Sequence, residues 1–353
     1  MDGKLNAFYK KLGAKPDAES RDQFGFTHLH WAIIDKNVDA VVHLLTLGAD
    51  PQAVASNEFH QFAEPPKYFR DQMKRFETGF DDANFWGVRE LTPLHIAATL
   101  NSVEIMKMLF EHGAVFDPAA YPDLNPVHCA LCADSRKSLH ALLRNGFDVD
   151  GKDRESRTML HWLSMYEAGP RVAIFLGGFS SRYAMKLEDP VVAARTILEE
   201  GASVDVRDGG GHTSLHLAAA TNMHDVAEVL LEYNAEVNAE NHSGASPLHL
   251  AAWFNSKETA ELLVEQGAQI DCKDAAGNTP LHIAIADDSL DAPPGVFIPH
   301  GSCCSRDGKN VVLNFLVEQG ADIRARNSDG HTPLSIAKSK RASDDTFKFL
   351  SQL

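Results

Sequence analysis

The sequence predicts an all-α repeat solenoid of about eight units, and three observations predict it. One hexapeptide recurs eight times: THLHWA from Thr27, TPLHIA from Thr92, NPVHCA from Asn125, TMLHWL from Thr158, TSLHLA from Thr213, SPLHLA from Ser246, TPLHIA from Thr279 and TPLSIA from Thr332. Four of the seven intervals are 33 residues; the others, 65, 55 and 53, are one such unit plus about 32, 22 and 20 inserted residues. A second landmark keeps the same register. LTLGAD, FEHGAV, LRNGFD, LEEGAS, EYNAEV, VEQGAQ and VEQGAD each precede the next hexapeptide by 12 residues, except across the first insertion.

Each unit justifies its own elements. Thr or Ser at the head of the hexapeptide suits a helix N-cap, where the hydroxyl accepts from a free amide, and Pro in the next place suits the first turn. In SPLHLAAWFNSKETAELLVEQGA, residues Leu248, Leu250 and Ala251, then Ala260, Leu262, Leu263 and Val264, mark two short helices. Gly267 ends the second by taking a left-handed cap. Neither helix buries its apolar face alone, so stability must come from stacking on neighbouring units.

These motifs resemble the ankyrin repeat family, whose period of 33 and T-P-L-H-x-A signature they match. The resemblance covers roughly residues 20 to 353 apart from the insertions. It implies helix-turn-helix units joined by β-hairpin fingers, beginning near residues 23, 88, 121, 154, 209, 242, 275 and 328. Residues 1–20 are then an N-terminal capping helix and 21–353 the repeat domain. It also gives the histidines a role: His30, His95, His128, His161, His216, His249 and His282 occupy the fourth place of the signature, where the family uses the imidazole to hydrogen-bond between loops. Cys129 and Cys132, one helical turn apart, read as a core and a groove residue rather than zinc ligands.

The function that the resemblance implies is a non-catalytic scaffold or adaptor, binding a partner protein in a concave groove lined by hairpin tips and inner helices. The family's variable positions, carried onto this chain, make that groove apolar. The partner-binding candidates are Phe26, Leu91, Tyr121, Met165, Tyr166, Trp253 and Phe254, because exposed aromatics bury a large area with few rotors to freeze. Asn238 stands at the hairpin position that is open to hydroxylation in animal proteins of similar sequence.

The insertions, about 53–84, 166–188 and 286–306, leave other readings open. In the first, Phe69, Met73, Phe76 and Phe80 share one face of a predicted amphipathic helix, suited to packing on its own repeats, to meeting a partner or to lying on a membrane surface. The second carries AIFLGGFSSRY, too weak a signal for a phosphate loop. The third carries HGSCCS, in which Cys303 and Cys304 are candidate reactive thiols with His300 as a nearby base. Adjacent cysteines seldom chelate one zinc, and no second Cys/His pair completes a site, so no metal and no cofactor is expected. The alternative functions are an enzyme or redox-sensitive protein using this insertion, or a host-directed bacterial effector.

Composition bounds the partners. A net charge of −16 argues against nucleic acid and anionic membrane, which need a positive surface. The longest apolar stretch, around VAIFLGGF, is too short to span a bilayer, and the N-terminus lacks the apolar segment of a signal peptide. Five cysteines at irregular spacing fit free thiols. The sequence therefore predicts a monomer in the cytoplasm, with the nucleus as the alternative.

Overall fold

The computed structural model describes residues 18, 20–21, 25–55, 91–115, 125–132, 136–153, 155–165, 189–286 and 311–339. They carry the expected architecture: short helices in antiparallel pairs, joined by hairpin turns in which the described residues form bridges but no named strand. The chain divides into two compact bodies, residues 1–154 with 181–189 and residues 155–180 with 190–353.

The first body contains α1 (His28–Ile34) and α2 (Val38–Thr46), α3 (Pro93–Thr99) and α4 (Val103–Glu111), and α5 (Pro126–Cys132) and α6 (Arg136–Arg144). The second contains α7 (Met159–Leu163) and α8 (Pro190–Glu199), α9 (Ser214–Thr221) and α10 (His224–Glu232), α11 (Pro247–Phe254) and α12 (Lys257–Glu265), α13 (Pro280–Ala286) and α14 (Val311–Glu318), then α15 (Pro333–Ser339). The first helix of a pair is enclosed: every residue of α1, and every residue of α9 but Thr221, is buried. The second is amphipathic, burying for example Val226, Ala227, Val229 and Leu230 of α10 while Asp225, Glu228 and Glu232 face water. Each fully buried Leu or Val contributes about 2 kcal/mol relative to exposure.

The recurring hexapeptide explains where each first helix starts. Thr27, Thr92, Thr158, Thr213 and Ser246 all form reciprocal capping boxes with the histidine three residues on. At Thr213, the backbone N–H donates to His216 Nδ1 at 3.1 Å and the hydroxyl lies 2.9 Å from the same nitrogen. The ring's other nitrogen leaves the unit. Nε2 of His30, His161, His216, His249 and His282 approaches the carbonyl oxygens of Leu91, His212, Ala245, Asn278 and His331 at 3.0–3.3 Å. A carbonyl only accepts, so Nε2 carries the proton and Nδ1 is the acceptor.

This ladder also locates the insertions. Two rungs, at His216 and His249, span 29 residues. Rungs at His30, His161 and His282 span 61, 51 and 49 residues. The excesses, 61 − 29, 51 − 29 and 49 − 29, are 32, 22 and 20 residues. At the first insertion the hairpin is kept through Ala55, whose N–H donates to Leu91 O at 2.8 Å. Asn241 does the same to Ala245. Residues 53–55 thus keep ordinary hairpin positions, and the excursion falls between Ala55 and Leu91, later than its sequence-read start at 53. The amphipathic face at Phe69, Met73, Phe76 and Phe80 lies outside the described residues.

Candidate functional site

The second body presents a row of hairpins that the backbone locks together. Gly209 N–H donates to Glu155 O at 2.8 Å, His242 N–H to Gly210 O at 3.1 Å, Ala275 N–H to Ser243 O at 2.9 Å and Ser328 N–H to Ala276 O at 2.9 Å. Each hairpin is closed by one polar side chain in the same place. Asp208 Oδ1 accepts from the amides of Gly210 and His212, Asn241 Oδ1 from Ser243 and Ala245, Asp274 Oδ1 from Ala276 and Asn278, and Asn327 Oδ1 from Asp329 and His331, at 2.8–3.1 Å. These are Asx turns, for which Asp and Asn are the fitted residues. Gly211, Gly244, Gly277 and Gly330 follow with positive φ, as the tight reversal requires.

A basic residue six places before the cap bridges hairpins. Arg207 donates to Gly211 O at 3.1 Å and to the Glu240 carbonyl of the next hairpin. Lys273 reaches Arg326 O at 2.9 Å, and Arg326 reaches Gly330 O at 2.7 Å. With the tips so held, the side chains of His242, Ala275, Ser328 and Asp329 stand exposed.

Electrostatically the row buries two carboxylates, Asp208 and Asp274, and neutral imidazoles. Burial lowers His161 to about 4 and His216 to about 3, and in the first body His30 to about 4. Asp208 is pulled the other way by its surroundings: burial would raise it, but the His212 ring and amide hold it down at about 2. Its carboxylate lies 3.1 Å from His212 Nδ1 and 4.0 Å from Arg157 Nε, the Arg157 side chain being 5% exposed.

The predicted contact residues occupy different depths from those expected. Phe26, Leu91, Met165 and Trp253 are buried, at 2%, 3%, 7% and 7% exposure, and Phe254 alone of the described candidates is half-buried. The expectation of exposed apolar side chains at these four positions is corrected. Phe26 turns inward onto its own helix, its ring 5.5 Å from those of His30 and Trp31. Leu91 sits in the hairpin paired with Ala55. Met165 and Trp253 come seven residues after their caps, Met165 just past the end of α7 and Trp253 in the last turn of α11, and these helices are packed by neighbouring first helices: α7 by α9, and α11 by α9 and α13. Tyr121, Tyr166, Cys303 and Cys304 lie outside the described residues.

The other cysteine and histidine readings are placed as follows. Cys129 is buried in α5, and burial pushes its thiol up to about 12; the side chain of Cys132 is outside the described residues, as is that of His128. Cys272 is half-buried, 3.3 Å from Ser246 Oγ, its thiol raised by burial. Asn238 is engaged: Oδ1 accepts from Gln269 N–H at 2.9 Å, as Asp271 accepts from Asp322 N–H at 2.9 Å. Among the described residues no group of three His, Cys, Asp or Glu could hold a metal ion, and no helix is long and apolar enough to cross a membrane.

Sequence reasoning missed a second inter-repeat bond. Asn101, Asn222 and Asn255 stand nine residues after their caps with φ of 53, 60 and 55°. Their Oδ1 atoms accept from the amides of Ser138, Thr259 and Val312, in the second helix of the following pair, at 3.1–3.3 Å. The recurrence of Asn at one register was the available signal.

Comparison with known proteins agrees with this geometry. The family model described as Ankyrin repeats (3 copies) matches residues 72–153, 183–274 and 241–293, and the model described as Ankyrin repeat matches residues 276–328. Inversin of Canis lupus familiaris is 26% identical over 240 residues, 62% of this chain and 19% of that protein. Poly [ADP-ribose] polymerase tankyrase of Caenorhabditis elegans is 29% identical over 143 residues, 40% of this chain and 6% of that protein. The nuclear factor NF-kappa-B p105 subunit of Gallus gallus is 28% identical over 138 residues, 38% of this chain and 12% of that protein. The chain thus spans a fifth or less of these relatives.

Proposed function

The chain belongs to the ankyrin repeat family, and from that premise we propose that it is a protein-binding scaffold or adaptor. Ankyrin repeats generally mediate protein–protein interaction. The proposed contact surface is the hairpin row of the second body with the half-buried Phe254 at the end of α11; Met165 and Trp253 are buried in the same body, and Phe26 and Leu91 in the first, so none of the four is offered as an exposed contact. The observation that carries the reading is the backbone-locked row from Gly209 to Ser328. A surface fixed before binding loses little conformational entropy when a partner docks, so its exposed tips convert contact into affinity efficiently. Among the described residues Cys129 and Cys272 are free thiols, in keeping with a reducing compartment, the cytoplasm or nucleus, and the proposed acting form is a monomer.

Affinity capture from lysate of the source organism, with crosslinking and mass spectrometry, tests this. Wild type is compared with a variant carrying His242→Glu, Ala275→Arg and Ser328→Arg, whose exposed side chains leave the core untouched. A protein retained by wild type, crosslinked to the second body and lost by the variant supports the proposal. Retention of the same proteins by both counts against the hairpin row.

A further inference from the structure

The charged cluster between the hairpins of units four and five has no counterpart in the other described hairpin pairs. Arg157 lies just before the cap of α7, where other described units carry Phe26, Leu91, His212, Ala245, Asn278 or His331. It is buried with Asp208 of the next hairpin, Nε to Oδ2 4.0 Å, side chains 5% and 4% exposed. The aligned pairs farther along are His212 with Asn241, Ala245 with Asp274 and Asn278 with Asn327, the last joined by a hydrogen bond from Asn327 Nδ2 to Asn278 Oδ1 of 2.9 Å.

Three imidazoles surround this pair. His161 Nε2–H donates to His212 O at 3.1 Å, while its Nδ1 accepts from Thr158 N–H at 3.1 Å. His212 Nδ1 lies against Asp208, and the His212 and His216 rings meet edge to face at 5.9 Å. Facing His161 are Arg157, His212 and the carboxylate of Asp208; facing His216 are His212, Arg207 and the same carboxylate. Glu155, whose carbonyl receives Gly209 N–H, is itself exposed. One buried anion therefore serves Arg157, His212 and two amides already. A proton added at His161, the ring that ties this joint, displaces the accepted cap bond and puts a second cation beside Arg157; one added at His216, whose own rung goes on to Ala245, puts a cation beside His212 and Arg207. At the later joint, His249 faces two carboxylates, Asp274 and Glu240, against a single histidine, His282.

We propose that the joint between the hairpins of units four and five is an acid-sensitive latch, which opens locally as pH falls below neutral while the hairpin joints beyond unit six stay closed. Burial keeps His161 neutral in the closed form, whereas an opened joint exposes it to protonation at the ordinary imidazole range, so acid favours opening.

Hydrogen exchange of the full chain, resolved to the hairpins and corrected for intrinsic rates, tests it between about pH 7.5 and about pH 5. The expected result is a loss of protection over residues 209–213 at least about ten-fold greater than over 275–279. The variant carrying Arg157→Ala and Asp208→Asn, which copies Ala245 and Asn241 at the aligned positions, should lose that excess. If circular dichroism shows the double variant unfolded, Asp208→Asn alone is read in the same way. Equal loss in the two hairpins, or an excess that survives the substitution, overturns the proposal.

Discussion

The imidazole of His216 donates through Nε2 to the carbonyl of Ala245, 3.0 Å away in space and 29 residues on in the chain, while its Nδ1 accepts from the amide of Thr213. One ring closes the cap of its own helix and ties that helix to the next repeat. The last unit separates the two roles. There Ser335 stands in the histidine's place and accepts from Thr332 N–H at 2.8 Å, a cap without a reach.

His216→Ser is therefore expected to keep the cap and lose the rung. It leaves a buried carbonyl unpaired and a cavity, costing about 3 kcal/mol. Ser335→Ala, which removes only a cap, should cost about 1 kcal/mol. Urea denaturation of the two variants against wild type measures the difference.

The ladder predicts a direction for pH. Burial holds His30, His161 and His216 far below the ordinary imidazole value of 6.5, at about 4, 4 and 3, and lowers His249 and His282 as well. Above 6.5 these rings are neutral in both folded and unfolded chains, and their contribution is fully present. Below it the unfolded chain binds protons that the fold refuses, so stability falls with pH through the window from 6.5 down to about 3–4. Denaturation midpoints across that window should decline on acidification, with proton uptake on unfolding visible by titration in weakly buffered solution.

Asn222 combines a left-handed φ of 60° with the bonds that its side chain makes to Thr259 and Glu258. Asn222→Gly keeps the backbone conformation and loses the bonds; Asn222→Ala loses both. The expected order of stability is wild type, Gly, Ala, with the Ala variant about 2 kcal/mol below wild type. Thermal unfolding of the three proteins checks the order.

Phe26, expected at first in a binding groove, is 2% exposed and packed on His30 and Trp31. Phe26→Ala should act on folding, at a cost of about 3 kcal/mol, and leave the affinity of the folded protein for a partner unchanged. Calorimetric unfolding beside a binding isotherm distinguishes the two effects.

Much of this was legible in the chain because a repeat states its pattern many times. The Thr–His spacing marked each cap, and the interval between successive hexapeptides gave the length of each insertion. The candidate contact residues were less legible. A position seven residues past the cap is chemically variable, yet whether Trp253 faces water depends on how closely α9 and α13 approach α11, a tertiary fact that no local pattern carries. The Arg157–Asp208 pair was hidden for a related reason: its partners lie 51 residues apart with an insertion between them. Asn101, Asn222 and Asn255, by contrast, recur at one register and could have been found.

The most direct test of the central claim is the affinity of a partner, once captured, for three proteins: wild type, the hairpin-tip variant with His242→Glu, Ala275→Arg and Ser328→Arg, and folded Phe26→Ala. A preformed hairpin surface predicts that the tip variant binds at least about 100-fold more weakly, a loss of about 3 kcal/mol, while Phe26→Ala binds as wild type does. Equal affinity for wild type and the tip variant would contradict it.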